Sequence, residues 1–373
     1  MIIGLPKEIK NNENRVGLTP GGVSALVHHG HIVIIETTAG NGSGFSDTEY
    51  LEAGGIIYHS KIDLFKEADL IVKVKEPLIE EYELFKPNQA LYTYLHLAAN
   101  RQLTDFLLKK SITSIAYETV ELPNKSLPLL APMSEVAGRM SIQIGANLLQ
   151  KYNGGRGVLL GGVPGVMPGT VIIFGGGVVG TNAAKMAKGL GANVTILDIN
   201  ADRLRYLDDI FNGTVNTLIA NHHNTNMMVK KADLLIGAVL VTGECAPKIV
   251  SEDMVKTMKK GSVIVDVAID QGGSIETIDR VTTHDNPSYE KYRVIHYSVA
   301  NMPGAVPRTS TIALEAATLP YLLEIVNKGV NKALIDDPCL LKGLNTMDGK
   351  LTCNHVAKSL NIKYTNPITI INT

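Results

Sequence analysis

The chain contains no tryptophan and only three cysteines, and it carries no excess of charge of either sign. Cys245, Cys339 and Cys353 form no CxxC pair, which excludes a disulfide scaffold and a thiolate zinc site and is typical of a reducing compartment. The 35 Lys and Arg residues balance 36 Asp and Glu residues, so there is no basic field to hold a nucleic acid.

Long apolar runs are also absent. No segment approaches the roughly 18 consecutive apolar residues of a membrane helix, and the first ten residues lack the apolar run of a secretory signal. We therefore expect a cytoplasmic protein that acts on small molecules, with neither nucleic acid nor a membrane as a partner.

Short β-branched runs alternate with helix-length amphipathic segments along most of the 373 residues. This βαβα rhythm predicts an α/β protein with parallel, doubly wound sheets. At about 150 residues per domain, the length indicates two domains.

The predicted strands fall into two series. The first comprises Ile2–Leu5, His31–Glu36, Ile56–Tyr58, Leu70–Lys75, Ala90–Leu95 and Ser114–Tyr117. The second comprises Thr170–Phe174, Val194–Leu197, Leu234–Val239 and Val263–Val267. Long helical patterns from Ser134 to about Tyr152 and from about Pro307 to Val326 bracket the second series, and a polar, helical tail completes the chain. We predict two Rossmann-like domains with a cleft between them, linked by long helices: a substrate domain of residues 1–130 plus 306–373, and a dinucleotide-binding domain of residues 131–305.

A glycine motif opens the second series. Gly175, Gly177 and Gly180, with Val178 and Val179 before the last glycine, match G-x-G-x-x-G between an apolar strand and a helix. In this fingerprint the first glycine permits a tight turn, the second lets a pyrophosphate approach the backbone, and the third allows close packing of helix on strand. The free N–H groups of the helix N-terminus then face the phosphates.

Asp198 ends the next predicted strand, 18 residues after Gly180 (198 − 180), close to the spacing that the fingerprint expects. A carboxylate there accepts hydrogen bonds from the ribose and repels a 2′-phosphate, so NAD is favoured over NADP. Arg203 and Arg205 lie nearby and weaken this exclusion. The alternative is that the glycines only close a turn and that Asp198 is a surface acid.

Four charged or titratable residues stand at or after predicted strand ends, where open α/β sheets bind ligands: Arg15, Lys75, His96 and Asp270. A guanidinium suits an α-carboxylate, a lysine suits a carbonyl or imine, and an imidazole can carry protons near neutrality. Taken singly, each residue also has an ordinary structural interpretation: Arg15 as an exposed loop charge, Lys75 as a strand-end lysine, His96 as a core histidine and Asp270 as a turn-forming residue.

Several segments together resemble the alanine dehydrogenase family, which shares its fold with the NAD-binding subunit of proton-pumping transhydrogenase. They are GLPKEIKNNENRVGLTP, VKVKEP, YTYLHLA, APMSEVAGRMS, VIIFGGGVVG, VDVAIDQGG and VANMPGAVPRTST, and the resemblance extends over essentially the whole chain. The resemblance implies NAD-dependent oxidative deamination of L-alanine to pyruvate and ammonia, the reverse reductive amination, and a homohexamer.

The resemblance also implies residue roles. Arg15 and Lys75 would bind the substrate, His96 and Asp270 would be the catalytic acid–bases, and Tyr94 and Met133 would wall a methyl-sized pocket. The dinucleotide would be lined by Ser134, Val178, Asp198, Arg203, Ala220, Val239, Leu240, Val267, Ala268, Ile269, Ser298 and Asn301. Position 220 is often serine in the family, so Ala220 can supply only a backbone contact.

Other functions stay open at this stage. They are the NAD(H)-binding subunit of a transhydrogenase with membrane partners, another amino-acid dehydrogenase on the same fold, and a dinucleotide sensor without catalysis. No spacing of histidines and carboxylates suggests a metal site. The chain has no G-x-S-x-G motif and no P-loop, which argues against acyl transfer and nucleotide hydrolysis.

Overall fold

The computed structural model describes residues 1–239 and 246–371, without the side chains of residues 270 and 271. The chain divides into two compact units, the first made of Met1–Met133 with Val306–Thr373 and the second of Ser134–Ala305. Each unit is built around its own sheet.

The strands of the described residues follow in chain order. They are β1 (Ile2–Leu5), β2 (Ile32–Glu36), β3 (Ile56–Tyr58), β4 (Leu70–Val72), β5 (Ala90–Thr93), β6 (Thr113–Ala116), β7 (Thr170–Phe174), β8 (Asn193–Asp198), β9 (Asn216–Ile219), β10 (Leu234–Gly237), β11 (Val263–Asp266), β12 (Ser288–Lys291), β13 (Val294–Tyr297), β14 (Leu344–Met347) and β15 (Lys350–Leu351).

The α-helices of the same residues are α1 (Pro20–His28), α2 (Asp47–Glu52), α3 (Lys61–Glu67), α4 (Ile79–Tyr82), α5 (Arg101–Lys109), α6 (Ala131–Leu148), α7 (Val178–Gly189), α8 (Ala201–Phe211), α9 (His222–Lys231), α10 (Glu252–Lys256), α11 (Pro307–Lys328), α12 (Val330–Asp336), α13 (Pro338–Gly343), α14 (Asn354–Leu360) and α15 (Ile368–Ile371). Short 3₁₀ helices occupy Asn41–Ser43, Leu97–Ala99, Tyr117–Thr119, Lys151–Asn153, Val267–Gln271 and Met302–Ala305.

The sheet of the first unit has the order β3-β2-β1-β4-β5-β6, and these six strands are parallel. The chain therefore winds outward from β1 in one direction and from β4 in the other, which places a topological switch point between β1 and β4. The tail adds β14 antiparallel to β6, and β15 antiparallel to β14.

The second unit repeats this design. Its order is β9-β8-β7-β10-β11-β13-β12, with β7 and β10 at the switch point and β12 antiparallel to β13 at the edge. The expected α/β class with two doubly wound, Rossmann-like sheets is therefore confirmed. Each sheet is mixed rather than wholly parallel, because a hairpin or a returning segment closes one edge.

Local sequence explains why the elements form where they do. Helix α1 begins with Pro20, whose missing N–H is not needed there, and the Thr19 hydroxyl caps it by accepting hydrogen bonds from the N–H groups of Gly21 and Gly22. The central strands are largely apolar runs, and apart from Thr170 at the start of β7 their residues are buried, as parallel strands covered on both faces require.

Some predicted bounds were wrong. Strands β4 and β5 end at Val72 and Thr93, before the predicted ends at Lys75 and Leu95. Just beyond these points Lys73 and Tyr94 still donate their N–H groups to backbone carbonyl oxygens of the neighbouring segment, whereas the next two N–H groups in each segment bond to glutamate side chains, as described below. The tail predicted to be helical also contains β14 and β15, and the sequence analysis missed β9, β12 and β13.

Candidate active site

Arg15 lies in the loop that follows β1, and only 2% of it is exposed. Its Nε donates to Glu13 Oε1 at 2.7 Å and its Nη2 to Glu13 Oε2 at 2.5 Å, a bidentate pair. Its Nη1 donates to the Met133 sulfur at 3.1 Å. Burial alone would lower the pKa of Arg15, but its bonds to Glu13 raise it above the ordinary value. The guanidinium is thus a fixed cation held in one orientation.

Lys75 follows β4, the strand next to β1 across the switch point, and is partly buried. Among the residues that the structure describes, its ammonium has no hydrogen-bond or ion-pair partner. Burial and the nearby charge of Arg15 lower the pKa of Lys75. A desolvated lysine beside a second cation is ready to receive an anion or a carbonyl oxygen.

Glu8 holds the backbone of the Lys75 segment. Its Oε1 accepts hydrogen bonds from the N–H groups of Val74 at 2.6 Å and of Lys75 at 3.2 Å. The carboxylate also pairs with the buried Lys73 ammonium at 3.0 Å, and Lys73 pairs with Glu81 at 3.0 Å. This cluster could not be predicted from the sequence, because the run VKVK does not indicate which of its two lysines has buried partners.

His96 follows β5 and is exposed, while Leu95 and Leu97 on either side are buried. Its backbone is left-handed, with φ of 51°. Its N–H donates to Glu118 Oε1 at 2.6 Å, and the N–H of Leu95 donates to the same oxygen at 3.1 Å. The imidazole ring therefore projects from a corner whose backbone is fixed.

Tyr94 and Met133 are both buried. The Tyr94 hydroxyl donates to the carbonyl oxygen of Leu129 at 2.6 Å, and its ring lies parallel to the His96 ring with centroids 5.9 Å apart. Burial raises the pKa of Tyr94 well above its usual range, so the phenol stays neutral. The structure thus brings Arg15 to Met133 of α6 and Tyr94 to His96, with Arg15 after β1 and the other pair after β5, on either side of β4.

The glycine motif of the second unit follows β7. Gly175 has φ of 96°, and a Cβ there would meet the carbonyl oxygen of Ala238 at 2.6 Å. A Cβ on Gly180 would lie 1.8 Å from the Gly175 carbonyl oxygen, whereas a Cβ on Gly177 would meet nothing within 4 Å. Gly177 also caps α7 without any side-chain hydrogen bond. Open space in front of uncapped N–H groups fits a pyrophosphate.

Asp198 ends β8 and braces this loop. Its Oδ2 accepts a hydrogen bond from the Gly176 N–H at 2.7 Å. Arg203 donates to the Gly176 carbonyl oxygen at 2.5 Å and to the Thr181 hydroxyl at 2.8 Å, and Arg205 forms an ion pair with Asp202. Both arginines expected to soften the exclusion of a 2′-phosphate therefore already have protein partners.

The other predicted dinucleotide residues lie in α6 or at carboxyl ends of the second sheet. They are Ser134 in α6, Ala220 after β9, Val239 after β10, Val267, Ala268 and Ile269 in the 3₁₀ helix after β11, and Ser298 and Asn301 after β13. Ala220 donates its N–H to the Asp198 carbonyl oxygen at 2.9 Å. Leu240 lies outside the described residues, as does the side chain of Asp270, whose backbone belongs to the same 3₁₀ helix.

Ser298 differs from the rest of this set. It is fully buried, its hydroxyl donates to the Arg280 carbonyl oxygen at 2.8 Å, and its N–H donates to the Thr282 hydroxyl at 3.3 Å. The hydroxyl hydrogen and the backbone N–H of Ser298 are thus engaged inside the unit, which leaves the hydroxyl oxygen as an acceptor.

Asp266, which the sequence analysis did not single out, organises the loop after β11. Its carboxylate is fully buried and accepts hydrogen bonds from the N–H groups of Ala268, Ser274 and Ile275. Burial raises the pKa of Asp266 although these hydrogen bonds oppose the shift. Only its place at the end of a buried strand could have drawn attention to it.

The residues that the structure describes contain no group of three or more His, Cys, Asp or Glu side chains placed to hold a metal ion. None of their helices combines the length and apolar character needed to cross a membrane.

Comparisons with known proteins cover nearly the whole chain. The family models "Alanine dehydrogenase/PNT, N-terminal domain" and "Alanine dehydrogenase/PNT, C-terminal domain" match residues 4–137 and 141–354. Proteins named "Alanine dehydrogenase" from Methanococcus maripaludis and Staphylococcus saprophyticus are 64% and 60% identical, each over 98% of both chains.

Solved structures lead to the same family. A structure titled L-alanine dehydrogenase is 55% identical with a TM-score of 0.94, over 97% of this chain and 99% of that one. A transhydrogenase from Sinorhizobium meliloti has a TM-score of 0.81 over 94% of this chain and 100% of that one, but at 22% identity it shares the fold alone. The chain belongs to the alanine dehydrogenase/PNT family.

Proposed function

We propose that this protein is an NAD-dependent oxidoreductase that converts L-alanine to pyruvate and ammonia and catalyses the reverse reductive amination. The observation that carries the proposal is the 64% identity, over 98% of both chains, to a protein named alanine dehydrogenase. The transhydrogenase alternative has only a shared fold in its favour.

Arg15 and Lys75 are proposed to hold the oxygens of the substrate. Both are cations at the switch point of the first sheet, and the pKa of Lys75 is lowered because it is partly desolvated beside Arg15. An anionic carboxylate relieves this repulsion, and the remaining positive charge polarises the carbonyl of a keto acid. Tyr94 and Met133 then provide a buried, largely apolar wall for a methyl group.

NAD is proposed as the cofactor, and when bound it accepts the hydride that leaves the substrate Cα. The open N-terminus of α7 at Gly177 fits its pyrophosphate, and Asp198 fits its adenine ribose. Because Arg203 and Arg205 are engaged by other groups, the carboxylate of Asp198 sets the preference against a 2′-phosphate.

His96 is proposed to move protons. Loss of hydride leaves an iminium on the substrate, and water adds to its carbon while the His96 imidazole accepts a proton from that water. The resulting carbinolamine loses ammonia and leaves pyruvate. We assign Asp270 to orienting the substrate nitrogen or the water. One alanine, one water and one NAD thus give pyruvate, ammonium, NADH and a proton.

The test is to mix the purified protein with L-alanine and NAD and follow NADH absorbance. Folded protein that produces no NADH above background contradicts the proposal. Glycine, serine and larger amino acids in the same assay separate an alanine enzyme from another amino-acid dehydrogenase. His96→Ala should abolish turnover and leave NADH binding nearly intact, whereas a sensor without catalysis predicts NADH binding and no turnover by the unaltered protein.

We further propose a homohexamer acting in the cytoplasm. The family resemblance supports the hexamer, and the low cysteine content supports a reducing compartment. Light scattering on the protein as it elutes from a size-exclusion column should give a molar mass six times the chain mass of 40.1 kDa.

A further inference from the structure

The corner that carries His96 is held by a side chain from the neighbouring strand. Glu118 lies in the 3₁₀ turn Tyr117–Thr119 directly after β6, which pairs in parallel with β5. One of its oxygens, Oε1, accepts both the His96 N–H at 2.6 Å and the Leu95 N–H at 3.1 Å. The second oxygen, Oε2, accepts the Leu95 N–H at 3.3 Å.

These contacts matter because the His96 backbone is left-handed, with φ of 51°. This conformation is unfavourable in free energy for residues with a Cβ, which keep it only where the surroundings fix it. The hydrogen bond from the His96 N–H to Glu118 Oε1 is 2.6 Å long, at the short end of the ordinary range, and is therefore a strong restraint on this backbone.

The restraint acts on a segment that is otherwise anchored by packing. Leu95 and Leu97 are buried in the core of the first unit, and Leu97 shares its apolar cluster with Val356 and Ala357 of α14. Only His96 between the two leucines is exposed. The direction of the imidazole therefore depends on the backbone conformation at His96, which is the part that Glu118 fixes.

We propose that Glu118 is a positioning residue that sets the orientation of His96 through the backbone N–H groups of Leu95 and His96. Glu118 itself need not touch substrate or cofactor. The inference rests on the proposed proton-transfer role of His96. It predicts that kcat depends on the position of one side-chain oxygen at residue 118 and not on the negative charge of that side chain.

Three substitutions separate position from charge. Glu118→Gln retains an oxygen acceptor at the same reach and removes the charge. Glu118→Asp retains the charge but withdraws the carboxylate by one methylene, and Glu118→Ala removes both. Glu121→Ala is the matched control, because Glu121 lies three residues further on and binds the ammonium groups of Lys342 and Lys125 instead.

The readouts are kcat and KM for L-alanine and the NADH dissociation constant, with kcat expressed per NADH-binding site so that unfolded protein does not count. A misplaced catalytic group costs roughly 10²-fold, so we expect that loss of kcat in the Ala and Asp variants, with NADH binding unchanged. The Gln variant should be clearly faster than the Asp variant, and the Glu121 control should equal the unaltered protein.

A Gln variant that is no faster than the Asp variant overturns the inference, as does an Ala variant with unchanged kcat. If the Ala variant does not fold, the Gln and Asp pair decides alone. Failure of the unaltered protein to produce NADH from L-alanine would instead overturn the proposed function, and this inference with it.

Discussion

Two glycines of the motif after β7 should respond to alanine in opposite ways. Gly177 has φ of −66° and ψ of −160°, an extended conformation that does not require glycine, and an added Cβ meets nothing within 4 Å. A Cβ on Gly180 would lie 1.8 Å from the Gly175 carbonyl oxygen. We expect Gly177→Ala to fold normally and bind NADH poorly, and Gly180→Ala to damage the fold of the second unit.

The geometry determines how large the loss of NADH affinity and the loss of stability should be. A methyl group at Gly177 occupies the space through which a pyrophosphate reaches the N–H groups of α7, and each hydrogen bond to a charged group is worth about 1.5–3 kcal/mol. Losing one of them weakens NADH binding on the order of 10- to 100-fold. At Gly180 the clash is with backbone, and a methyl group has no rotamer to escape, so α7 must shift. The cost lies at or above the upper end of about 1–3 kcal/mol for overpacking.

Fluorescence titration with NADH and thermal unfolding measure the two effects separately. Gly189→Ala is the matched control, because Gly189 ends the same helix, is exposed, and would place its Cβ in open space. It should change neither NADH binding nor, beyond a small gain in helix propensity, stability. Gly177→Ala with undiminished NADH affinity would refute the reasoning, and so would Gly180→Ala that melts like the unaltered protein.

Three further predictions follow from the two units. Asp198→Asn should lower the preference for NAD over NADP by roughly tenfold or more, because like-charge repulsion of a 2′-phosphate is removed. Glu13→Gln should raise KM for L-alanine and lower kcat/KM by roughly 10- to 100-fold, because Arg15 loses half of its bidentate anchor. For the buried His296, burial lowers the pKa to about 4 from an ordinary 6.5. Its contribution to stability is therefore complete above pH 6.5 and is lost as the pH falls from 6.5 towards 4, a loss of about 3 kcal/mol that His296→Gln should not show.

Each of these has a direct check. Kinetics with both cofactors test Asp198, and an unchanged preference would mean that other residues select the cofactor. Glu13→Gln with normal kinetics would show that Arg15 needs no anchor. Urea unfolding between pH 7.5 and 4 tests His296, which bonds to the Val294 carbonyl oxygen and the Thr277 hydroxyl, and equal pH slopes in the two proteins would contradict its neutrality in the fold.

The sequence was most informative where the needed contacts are local. The strand, glycine motif, helix and Asp198 are close together along the chain, and backbone requirements such as φ of 96° at Gly175 restrict the residue type. Arg15, Lys75 and His96 were identified because each follows a parallel strand, and parallel strands end at one edge. The antiparallel β14 and β15 were missed because LNTM and KL have no strong alternation.

Hydrogen bonds between residues that are distant along the chain could not be predicted from the sequence. Glu8 is 66 residues from Val74, whose N–H it accepts, and Glu118 is 22 residues from His96. Nothing local distinguishes these glutamates from solvated ones. The pairing arises only when β1 is placed beside β4 and β5 beside β6, which is a property of the sheet order.

These glutamates also explain why the strands end early. At the carboxyl edge of a parallel sheet the hydrogen bonds between strands end. Each buried N–H group beyond the last pair of bonded residues then needs another acceptor. Glu8 supplies that acceptor for Val74 and Lys75, and Glu118 supplies it for Leu95 and His96. The interaction that replaces the ladder is thus the same one that fixes the backbone of Lys75 and of His96. The rigidity of these two residues follows from the ordinary requirement that buried N–H groups be paired, and the fold meets this requirement with side chains from the adjacent strand ends.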